Sequence, residues 1–344
     1  STTTSLIHAM VKAQSKGALL GGNIGESPLR FLKAAQKQKA PVVLELSNFQ
    51  LSDLGTIKIS PHIGVWTNLY PDHLNKYPSM QEYEADKMKI FQYQKAGDVA
   101  ILNWDNEETK WIGQSLEKNG PKDRKVLWFS LKKKPQNGAY IKNGYFIFVE
   151  KGKEVKVCKI SVTKLLGEHN LANTLAAICA ARSFGVSWMA IKKAIGTFKG
   201  VPNRLELIKE IKGVKFYNDC TATSPQATMA ALKSFSAGKI ILITGGNSKG
   251  SPLQELAKLM AEKTKALIFM PGKVNEELCR QVVLNSRKNL IPIIDVEILK
   301  EAVKKSLVLA KKGDVVLLSP GLTWLPWQNE FERGEEFVKI VKKI

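Results

Sequence analysis

The stretch Pro41-Val42-Val43-Leu44-Glu45-Leu46 is an apolar run interrupted by one carboxylate, and it is the first clear indication of the fold. The run predicts a buried strand, and residues 63–68 and 99–103 predict two more. Residues 80–94 have apolar positions at helical spacing and lie between the second and third of these strands. Strands that alternate with helices predict a largely parallel sheet with right-handed crossovers.

The pattern changes twice further along the chain. Residues 145–149 and 155–160 predict antiparallel strands joined by a glycine-containing turn, and helices are expected next at 170–184 and 187–198. A glycine and a proline then break the chain at residues 199–203. Beyond the break, strands expected at 214–218, 239–244, 266–269 and 315–319 alternate with helices expected at 225–234, 253–263, 274–284, 298–310 and 330–344.

These patterns predict an α/β protein of two domains. Residues 1–199 are expected to form a mostly parallel sheet with a small antiparallel addition, and residues 200–344 a Rossmann-like α/β domain. The chain of 344 residues is long enough for two hydrophobic cores.

Composition excludes several classes of protein. With 44% hydrophobic and 24% charged residues, the sequence is that of a folded globular protein and not of a disordered or fibrous chain. No window is apolar enough to predict a transmembrane helix, and the first residues do not resemble a signal peptide. The four cysteines have no CxxC spacing, which argues against a disulfide scaffold or a zinc site and favours a reducing cytoplasm.

The net charge of +21 leaves two interpretations open. A basic, non-catalytic nucleic-acid-binding protein is one. Only 7 of the 52 basic residues are arginine, however, and the 45 lysines are spread along the whole chain. This distribution favours a solvated lysine-rich surface, whose field would also attract small anionic substrates.

Polar residues stand where several predicted strands end. In open α/β sheets, ligands bind at the carboxyl ends of the strands. Glu45 and His73 follow two such strands, and with phosphate oxygens they would suit Mg²⁺ or Mn²⁺. The other polar strand ends are Asn68, Asn218-Asp219, Gly245-Gly246-Asn247-Ser248-Lys249 and Ser319-Pro320-Gly321.

Short motifs follow one another along the whole chain. They are Gly21-Gly22-Asn23-Ile24-Gly25, Leu44-Glu45-Leu46-Ser47-Asn48-Phe49-Gln50-Leu51, Asp72-His73-Leu74, Tyr77-Pro78, Lys87, Gly167-Glu168-His169-Asn170 with Asn173, Pro202-Asn203-Arg204, Asn218-Asp219, Gly245-Gly246 with Lys249, Leu318-Ser319-Pro320 and Arg333-Gly334. In this order the chain resembles the Mur ligase family, the ATP-dependent amide-forming ligases of peptidoglycan synthesis. The first two motifs are typical of the branch that adds glutamate.

The resemblance implies a P-loop-type first domain and a defined reaction. ATP would phosphorylate the carboxylate of UDP-MurNAc-L-Ala, and the amine of glutamate would attack the acyl phosphate. D-glutamate is the expected substrate in preference to L-glutamate. The expected partners are these small molecules, with no nucleic acid, no membrane insertion and a monomeric chain in the cytoplasm. Another Mur-type ligase, either L-glutamate-adding or similar to folylpolyglutamate synthase, stays open as an alternative.

The resemblance also assigns roles to residues. Ser1, Glu45 and His73 match Mg²⁺ ligands, and Lys87 matches a lysine whose carbamylated form holds a second Mg²⁺. Glu45, His73 and Lys87 are therefore the expected catalytic group. The expected nucleotide-binding residues are Ser1, Thr2, Asn170, Asn173, Arg204 and Asp219, and the expected substrate-binding residues are Asn23, Ser47, Gln50, Thr223, Lys249 and Thr323.

Three departures from the family pattern qualify these expectations. The sequence starts at Ser1, directly after the place of the phosphate loop's Gly-Lys, and lacks a counterpart of the uridine-binding domain, so we expect this polypeptide to be inactive alone. Thr221 stands where the family often has lysine, which leaves L-glutamate open. The loop after Pro320 also differs, and in it Thr323 is the hydroxyl expected to contact the glutamate side chain.

Overall fold

The computed structural model describes residues 1–24, 27–70, 76–248, 250–286, 291–323 and 329–344. The chain forms two compact units, one of Ser1–Tyr70 with Tyr77–Lys199 and one of Gly200–Ile344. Within the described ranges, no helix has both the length and the apolar character needed to cross a membrane.

The first unit contains helices and strands in alternation, followed by antiparallel strands and two helices. Its helices are α1 (Thr2–Gln14), α2 (Leu32–Gln38), α3 (Asn48–Thr56), α4 (Met80–Gln92), α5 (Glu107–Asn119), α6 (Glu168–Ser183) and α7 (Trp188–Thr197). Its strands are β1 (Leu19–Gly22), β2 (Val42–Glu45), β3 (Ile63–Trp66), β4 (Val99–Asn103), β5 (Lys125–Ser130), β6 (Gly138–Lys142), β7 (Tyr145–Glu150) and β8 (Lys153–Lys159).

The strands of this unit form two sheets. The larger has the order β3-β4-β5-β6-β7-β8, parallel from β3 to β6 and antiparallel from β6 to β8. The smaller is the parallel pair β1-β2. The predicted mostly parallel sheet with an antiparallel addition is confirmed. In the described residues, however, no strand joins β2 to β3, and the sheet is divided there.

Packing on both faces explains the larger sheet. β4 reads Val-Ala-Ile-Leu-Asn and is buried along its whole length, as expected for a parallel strand covered by helices on both sides. One face packs against α1, α6 and α7 through side chains such as Leu6, Leu175 and Ile191. The other face carries a separate cluster that includes Phe91 of α4 and Ile112 of α5.

The second unit is an α/β sheet of its own. Its strands are β9 (Glu206–Ile211), β10 (Val214–Asn218), β11 (Ile240–Thr244), β12 (Thr264–Phe269), β13 (Ile293–Asp295) and β14 (Val315–Leu318). Its helices are α8 (Pro225–Lys233), α9 (Gln254–Lys263), α10 (Asn275–Asn285), α11 (Leu299–Leu309) and α12 (Glu330–Lys342). The strand order is β13-β12-β11-β14-β10-β9, parallel except for β9.

The last strand of this unit lies in the middle of its sheet. β14 pairs with β10 on one side and with β11 on the other, so that Val315 is opposite both Lys215 and Ile240. Both β11 and β14 are buried along their whole length. The carboxyl ends of β10, β14 and β11 are therefore adjacent, and their polar residues meet at one edge of the sheet.

Candidate functional site

The N-terminus of α1 meets the carboxyl end of β2 in the first unit. The Ser1 hydroxyl donates a hydrogen bond of 2.9 Å to Glu45 Oε1, and the Ser1 amino nitrogen lies 3.0 Å from Glu45 Oε2. The first turn of α1 contains no acidic residue. Its backbone N–H groups therefore favour an anion near the carboxylate and hydroxyl, and a phosphate with a bridging cation fits this arrangement.

Lys87 of α4 lines the same cavity as Ser1 and Glu45. Its Nζ lies 4.8 Å from the centroid of the Tyr83 ring, which gives a cation–π contact. Tyr83 was not among the residues expected at the site. Its position four residues before Lys87 on a helix places the two side chains on one face, and that spacing would have identified it.

Oxygen donors dominate this end of the cavity. The hydroxyl of Ser1 and the carboxylate of Glu45 are the hard ligands that Mg²⁺ prefers, and Lys87 would become an oxygen ligand only as a carbamate. Within the described ranges no group of three His, Cys, Asp or Glu side chains could hold a metal ion. The expected ligand His73 lies outside the described residues.

A chain of side-chain hydrogen bonds connects α1 with α6. Thr3 Oγ1 donates to Asn173 Oδ1 (2.8 Å), Asn173 Nδ2 donates to Asn170 Oδ1 (3.0 Å), and Asn170 Nδ2 donates to the Leu166 carbonyl (2.7 Å). The two asparagines expected near the nucleotide are thus held together, and Thr3 is a member that the sequence did not reveal. Asn170 is buried and Asn173 is partly exposed.

Ser47 and Gln50 have a structural role at the start of α3. Ser47 Oγ accepts from the Gln50 backbone N–H (3.2 Å), and Gln50 Oε1 accepts from the Ser47 backbone N–H (2.9 Å). This reciprocal arrangement is a capping box. Both residues were expected to contact substrate, and the capping box occupies one polar group of each.

Asn23 follows the pair of glycines at the end of β1 and is exposed. Its backbone N–H donates to the Glu45 carbonyl (2.8 Å) and so continues the pairing of β1 with β2. Gly22 has a φ of +94°, and a Cβ there would lie 2.1 Å from the same Glu45 carbonyl oxygen. The glycine is therefore required for the close approach of the backbone beside Glu45.

A polar network ties α3 to α4 next to Lys87. Tyr77 accepts from Asn48 Nδ2 (2.6 Å) and donates to Asp86 Oδ2 (2.9 Å), while Lys89 Nζ donates to Asp86 Oδ1 (2.5 Å). Burial alone would raise the pKa of Asp86, but the bonds from Lys89 and Tyr77 outweigh it and lower that pKa. The network thus fixes α4 against the helix that follows Glu45, and no sequence pattern predicted it.

In the second unit, Asp219 lies just beyond β10 and is buried. Asp219 Oδ2 accepts from Ser319 Oγ (2.9 Å), Oδ1 accepts from the Leu205 N–H (3.1 Å), and Ser319 Oγ is 2.8 Å from Thr228 Oγ1. Burial raises the pKa of Asp219 to about 7, although Ser319, Leu205 and the positive charge of Arg204 act in the opposite direction. The carboxyl group is thus near its midpoint of titration at neutral pH.

The loop that carries Arg204 has an unusual backbone. Asn203 and Leu205, on either side of it, have φ values of +66° and +44°. Asn203 is held by a bond of 2.8 Å from Asn218 Nδ2 to its Oδ1. Since non-glycine residues rarely adopt such angles, the surrounding contacts must enforce them, and they set the position of Arg204 close to Asp219.

Thr323 joins the loop after β14 to the loop after β11. Its hydroxyl donates to the Asn247 carbonyl (2.8 Å), and the backbones of the two residues form an isolated bridge. The hydroxyl proton expected to contact a glutamate carboxylate is therefore used within the protein. Thr223 lies beyond β10, partly buried, whereas Lys249 lies outside the described residues.

Comparison with known families gives two matches that together cover most of the chain. The model of the Mur ligase middle domain matches residues 1–181. The model described as "Mur ligase, glutamate ligase domain" matches residues 203–322.

Curated relatives match over the full chain. A UDP-N-acetylmuramoylalanine–D-glutamate ligase of Acetivibrio thermocellus is 40% identical over 347 residues, which cover 100% of this chain and 72% of that protein. A ligase of the same name from Clostridium botulinum is 40% identical over 345 residues, with the same coverage of both chains.

Solved structures share the fold at low sequence identity. The MurF ligase of Thermotoga maritima in complex with ADP superposes with a TM-score of 0.67 at 18% identity, over 100% of this chain and 78% of that one. A MurF of Acinetobacter baumannii gives a TM-score of 0.69 at 14% identity, over 100% and 74%.

Proposed function

Because the chain belongs to the Mur ligase family, we propose that it joins D-glutamate to UDP-MurNAc-L-Ala with the use of ATP, in peptidoglycan synthesis. The observation that carries this proposal is the 40% identity, over the whole chain, to ligases named for that reaction. The contact between Ser1 and Glu45 at the start of α1 supports it, because phosphoryl transfer needs such groups.

The proposed reaction has two steps. The terminal phosphoryl group of ATP passes to the carboxylate of UDP-MurNAc-L-Ala and gives an acyl phosphate and ADP. The amine of glutamate then attacks the acyl carbon, and the tetrahedral intermediate expels phosphate and leaves the amide. Both steps depend on neutralising charge at phosphoryl oxygens and on holding the reacting groups in line.

Residues 1–199 would supply the phosphate and metal contacts. The N–H groups of the first turn of α1, with Ser1 and Thr2, would receive phosphate oxygens. Ser1, Glu45 and His73 would hold Mg²⁺ or Mn²⁺, which, when bound, neutralises charge on the transferring phosphoryl group. The buried Asn170 would fix Asn173 so that its amide can meet the nucleotide base.

Lys87 is proposed to act as a carbamate. The neutral amine nitrogen adds to the carbon of carbon dioxide and releases one proton to solvent, and the product is an anion with two oxygen ligands. The Tyr83 ring favours the ammonium form by its cation–π contact, and the carbamate would lose that attraction. Carbamylation is therefore expected to accompany metal binding, because the ionic contact between carbamate and metal would offset the lost cation–π contact with Tyr83.

Residues 200–344 would contact the nucleotide and glutamate. Arg204 would reach the phosphates and Asp219 the ribose hydroxyls, through the lone pairs that Ser319 and Leu205 leave open. Lys249, Thr223 and Thr323 are proposed for glutamate, and Thr323 would contact it by exchanging its bond to the Asn247 carbonyl for one to the substrate. Asn23, Ser47 and Gln50 are proposed to contact UDP-MurNAc-L-Ala. We also propose that the enzyme acts as a monomer in the cytoplasm.

The test is a phosphate-release assay in two proteins. One is this chain, and the other is the Acetivibrio thermocellus ligase in which this sequence replaces the matched 72%. Release in the replacement protein should require ATP, Mg²⁺, UDP-MurNAc-L-Ala and D-glutamate together, and this chain alone should release little or no phosphate. Glu45→Gln should lower the rate by a factor on the order of 100. The control is Glu154→Gln, which should leave the rate unchanged, because the native Glu154 carboxylate is bound by Tyr140 and Lys142 in the hairpin.

Two further readouts separate the parts of the proposal. Incubation with ¹³C-labelled bicarbonate and Mg²⁺ should give a carbamate signal that Lys87→Arg removes. Release that depends on L-glutamate would retain the ligase chemistry but refute the D-glutamate assignment. If neither D-glutamate nor L-glutamate supports phosphate release in the replacement protein, the proposed function is refuted.

A further inference from the structure

The antiparallel part of the first sheet is rich in lysine. Residues 131–159, which contain β6, β7 and β8, have eight lysines and two glutamates and therefore a net charge of +6. An even spread of the total charge of +21 along the chain would give this segment only about +2. All eight lysines are exposed, and they are Lys132, Lys133, Lys134, Lys142, Lys151, Lys153, Lys156 and Lys159.

The two faces of this antiparallel part differ in character. Successive side chains of a strand point to opposite faces of a sheet. Phe146 and Phe148 of β7 belong to the cluster that packs against α1, α6 and α7. The residues that alternate with them lie on the other face and form a small separate cluster. We call this side the outer face, and its cluster consists of Tyr140, Tyr145, Ile147 and Val149.

One carboxylate holds two lysines on the outer face. Lys134 Nζ lies 2.7 Å from Glu154 Oε1, and Lys142 Nζ lies 2.9 Å from Glu154 Oε2. The Tyr140 hydroxyl also donates to Glu154 Oε1 (2.7 Å). These bonds, that of Lys134 first, lower the pKa of Glu154 to about 2. Glu154 is therefore ionised at neutral pH, and its single charge offsets only one of the two ammonium charges.

Two further lysines lie beside the ring of Tyr145. Lys156 Nζ is 3.6 Å from the centroid of this ring, and Lys159 Nζ is 6.0 Å from it. Both distances are within the range of cation–π contacts. Together with the pair at Glu154, the outer face has four ammonium groups and one carboxylate, which is a net charge of +3.

The chemistry of the outer face selects the kind of anion that it fits. Residues 131–159 contain no arginine, so the face lacks the planar guanidinium group that recognises one phosphate through two bonds. Within this segment, all of which the structure describes, three of the four aromatic side chains are buried, and the fourth, Tyr145, has Lys156 over its ring. Single-stranded nucleic acid needs open rings on which bases can stack. Point charges spread over a three-stranded sheet suit an extended anionic surface instead.

We propose that the outer face binds the surface of a lipid bilayer with anionic headgroups, and that the chain lies on this bilayer without entering it. Patches of about four to eight lysines are of the size that anionic lipid attracts, and this segment has eight. Tyrosine, here Tyr145, is a residue type that suits the boundary between water and lipid.

The proposed surface is separate from the candidate site. The described residues that line the cavity with Ser1, Glu45 and Lys87 include none from 131–159. A bilayer on the outer face would therefore leave the lining of that cavity uncovered by the contact itself. The proposal concerns binding alone and does not depend on ligase activity.

Cosedimentation of the full chain with lipid vesicles tests the proposal. One set of vesicles is phosphatidylcholine alone, and the other contains about one third phosphatidylglycerol as the anionic lipid, both in about 0.1 M salt. The chain should bind the anionic vesicles at least about tenfold more tightly than the neutral ones. Salt at about 0.5 M should remove most of this binding, because it screens the attraction between exposed charges.

Two pairs of lysines provide matched variants. Lys156→Gln with Lys159→Gln removes two charges from the outer face and should weaken binding by about 25-fold, roughly fivefold for each lysine. Lys118→Gln with Lys122→Gln removes two charges from exposed lysines of the same unit outside residues 131–159, and should weaken binding by no more than about twofold. Circular dichroism confirms that both double variants fold.

Removal of the carboxylate should have the opposite effect. Glu154→Gln keeps an oxygen that can accept from the Tyr140 hydroxyl but adds one positive charge to the net charge of the outer face. Binding to anionic vesicles should become about fivefold tighter, and binding to neutral vesicles should not change. A role of Glu154 in holding the hairpin alone would not increase the affinity.

Several results would overturn the proposal. One is equal binding to both kinds of vesicle, or binding to neither. Another is an equal loss of affinity in the two lysine double variants, because the net charge of the whole chain would then be responsible. An oligothymidine of about twenty nucleotides that binds more tightly than the anionic vesicles, and that loses affinity in Lys156→Gln with Lys159→Gln, would assign the outer face to nucleic acid.

Discussion

Replacing the buried Asp219 by asparagine is expected to change how the stability of the second unit depends on pH. The pKa of Asp219 is raised from 3.8 to about 7, with burial as the main cause. Between these values the folded chain binds more protons than the unfolded chain, so the free energy of unfolding falls as the pH rises. Because each unit of pKa difference corresponds to about 1.36 kcal/mol, the full loss is about 4 kcal/mol, and most of it falls between pH 4 and 7.

Asparagine at this position keeps the hydrogen bonds but has no charge. Its carbonyl oxygen can accept from the Leu205 N–H, and its amide can donate to Ser319, whose hydroxyl then donates to Thr228. Asp219→Asn should therefore match the wild type near pH 4 and exceed it by up to about 4 kcal/mol at pH 8.

Urea unfolding, followed by circular dichroism between about pH 4 and 8, measures the difference. The control is Asp314→Asn in the same unit. Asp314 is also buried, and burial alone would raise its pKa. The hydrogen bonds from Lys265 and the Lys311 N–H outweigh this effect and lower the pKa of Asp314 below its ordinary value. That variant should lose stability at neutral pH, and the loss should shrink only as the pH falls below about 4.

A stability difference between Asp219→Asn and the wild type that does not change between pH 4 and 7 would refute this prediction. A constant difference would mean that the buried carboxylate is fully compensated by its hydrogen bonds and by Arg204. The opposite slope would mean that these groups overcompensate the effect of burial.

Three further substitutions test packing and capping by thermal and urea unfolding. Gly334→Ala should lower stability by about 1–3 kcal/mol, because the new Cβ would lie 2.5 Å from Cys220 Sγ; an unchanged midpoint would mean that this contact relaxes freely. Ser47→Ala should cost about 1 kcal/mol through the lost cap with Gln50, and no loss would mean that the cap contributes no net stability. Phe91→Ala should cost about 3–5 kcal/mol, since this side chain is fully buried; a loss below 1 kcal/mol would contradict the assigned core.

The elements that the sequence predicted best are the continuous apolar strands. β4, β11 and β14 combine an uninterrupted hydrophobic run with polar residues at the end, and both signals are local. The edge strand β9 was missed because its pattern mixes charged and apolar residues. The division between β2 and β3 was also missed, since it depends on which strands meet in space.

The site residues differ in the same way. The cap between Ser47 and Gln50 is a local Ser-x-x-Gln pattern, and the sequence alone could have shown it. The buried Asp219 accepts a hydrogen bond from Ser319, which is 100 residues away in the sequence, so no local pattern contains this pair. Functional motifs identify the residue types, but only the fold decides which polar groups are already used within the protein.

The central position of β14 has a consequence for biosynthesis. β10 and β11 are each complete before residue 245, but the strand that lies between them ends at Leu318. At a synthesis rate of about 5–20 residues per second, both edges wait roughly 4–15 s for their common neighbour to leave the ribosome. During that interval the nascent chain exposes two apolar strand edges side by side, which is the time at which chaperone binding would protect it most.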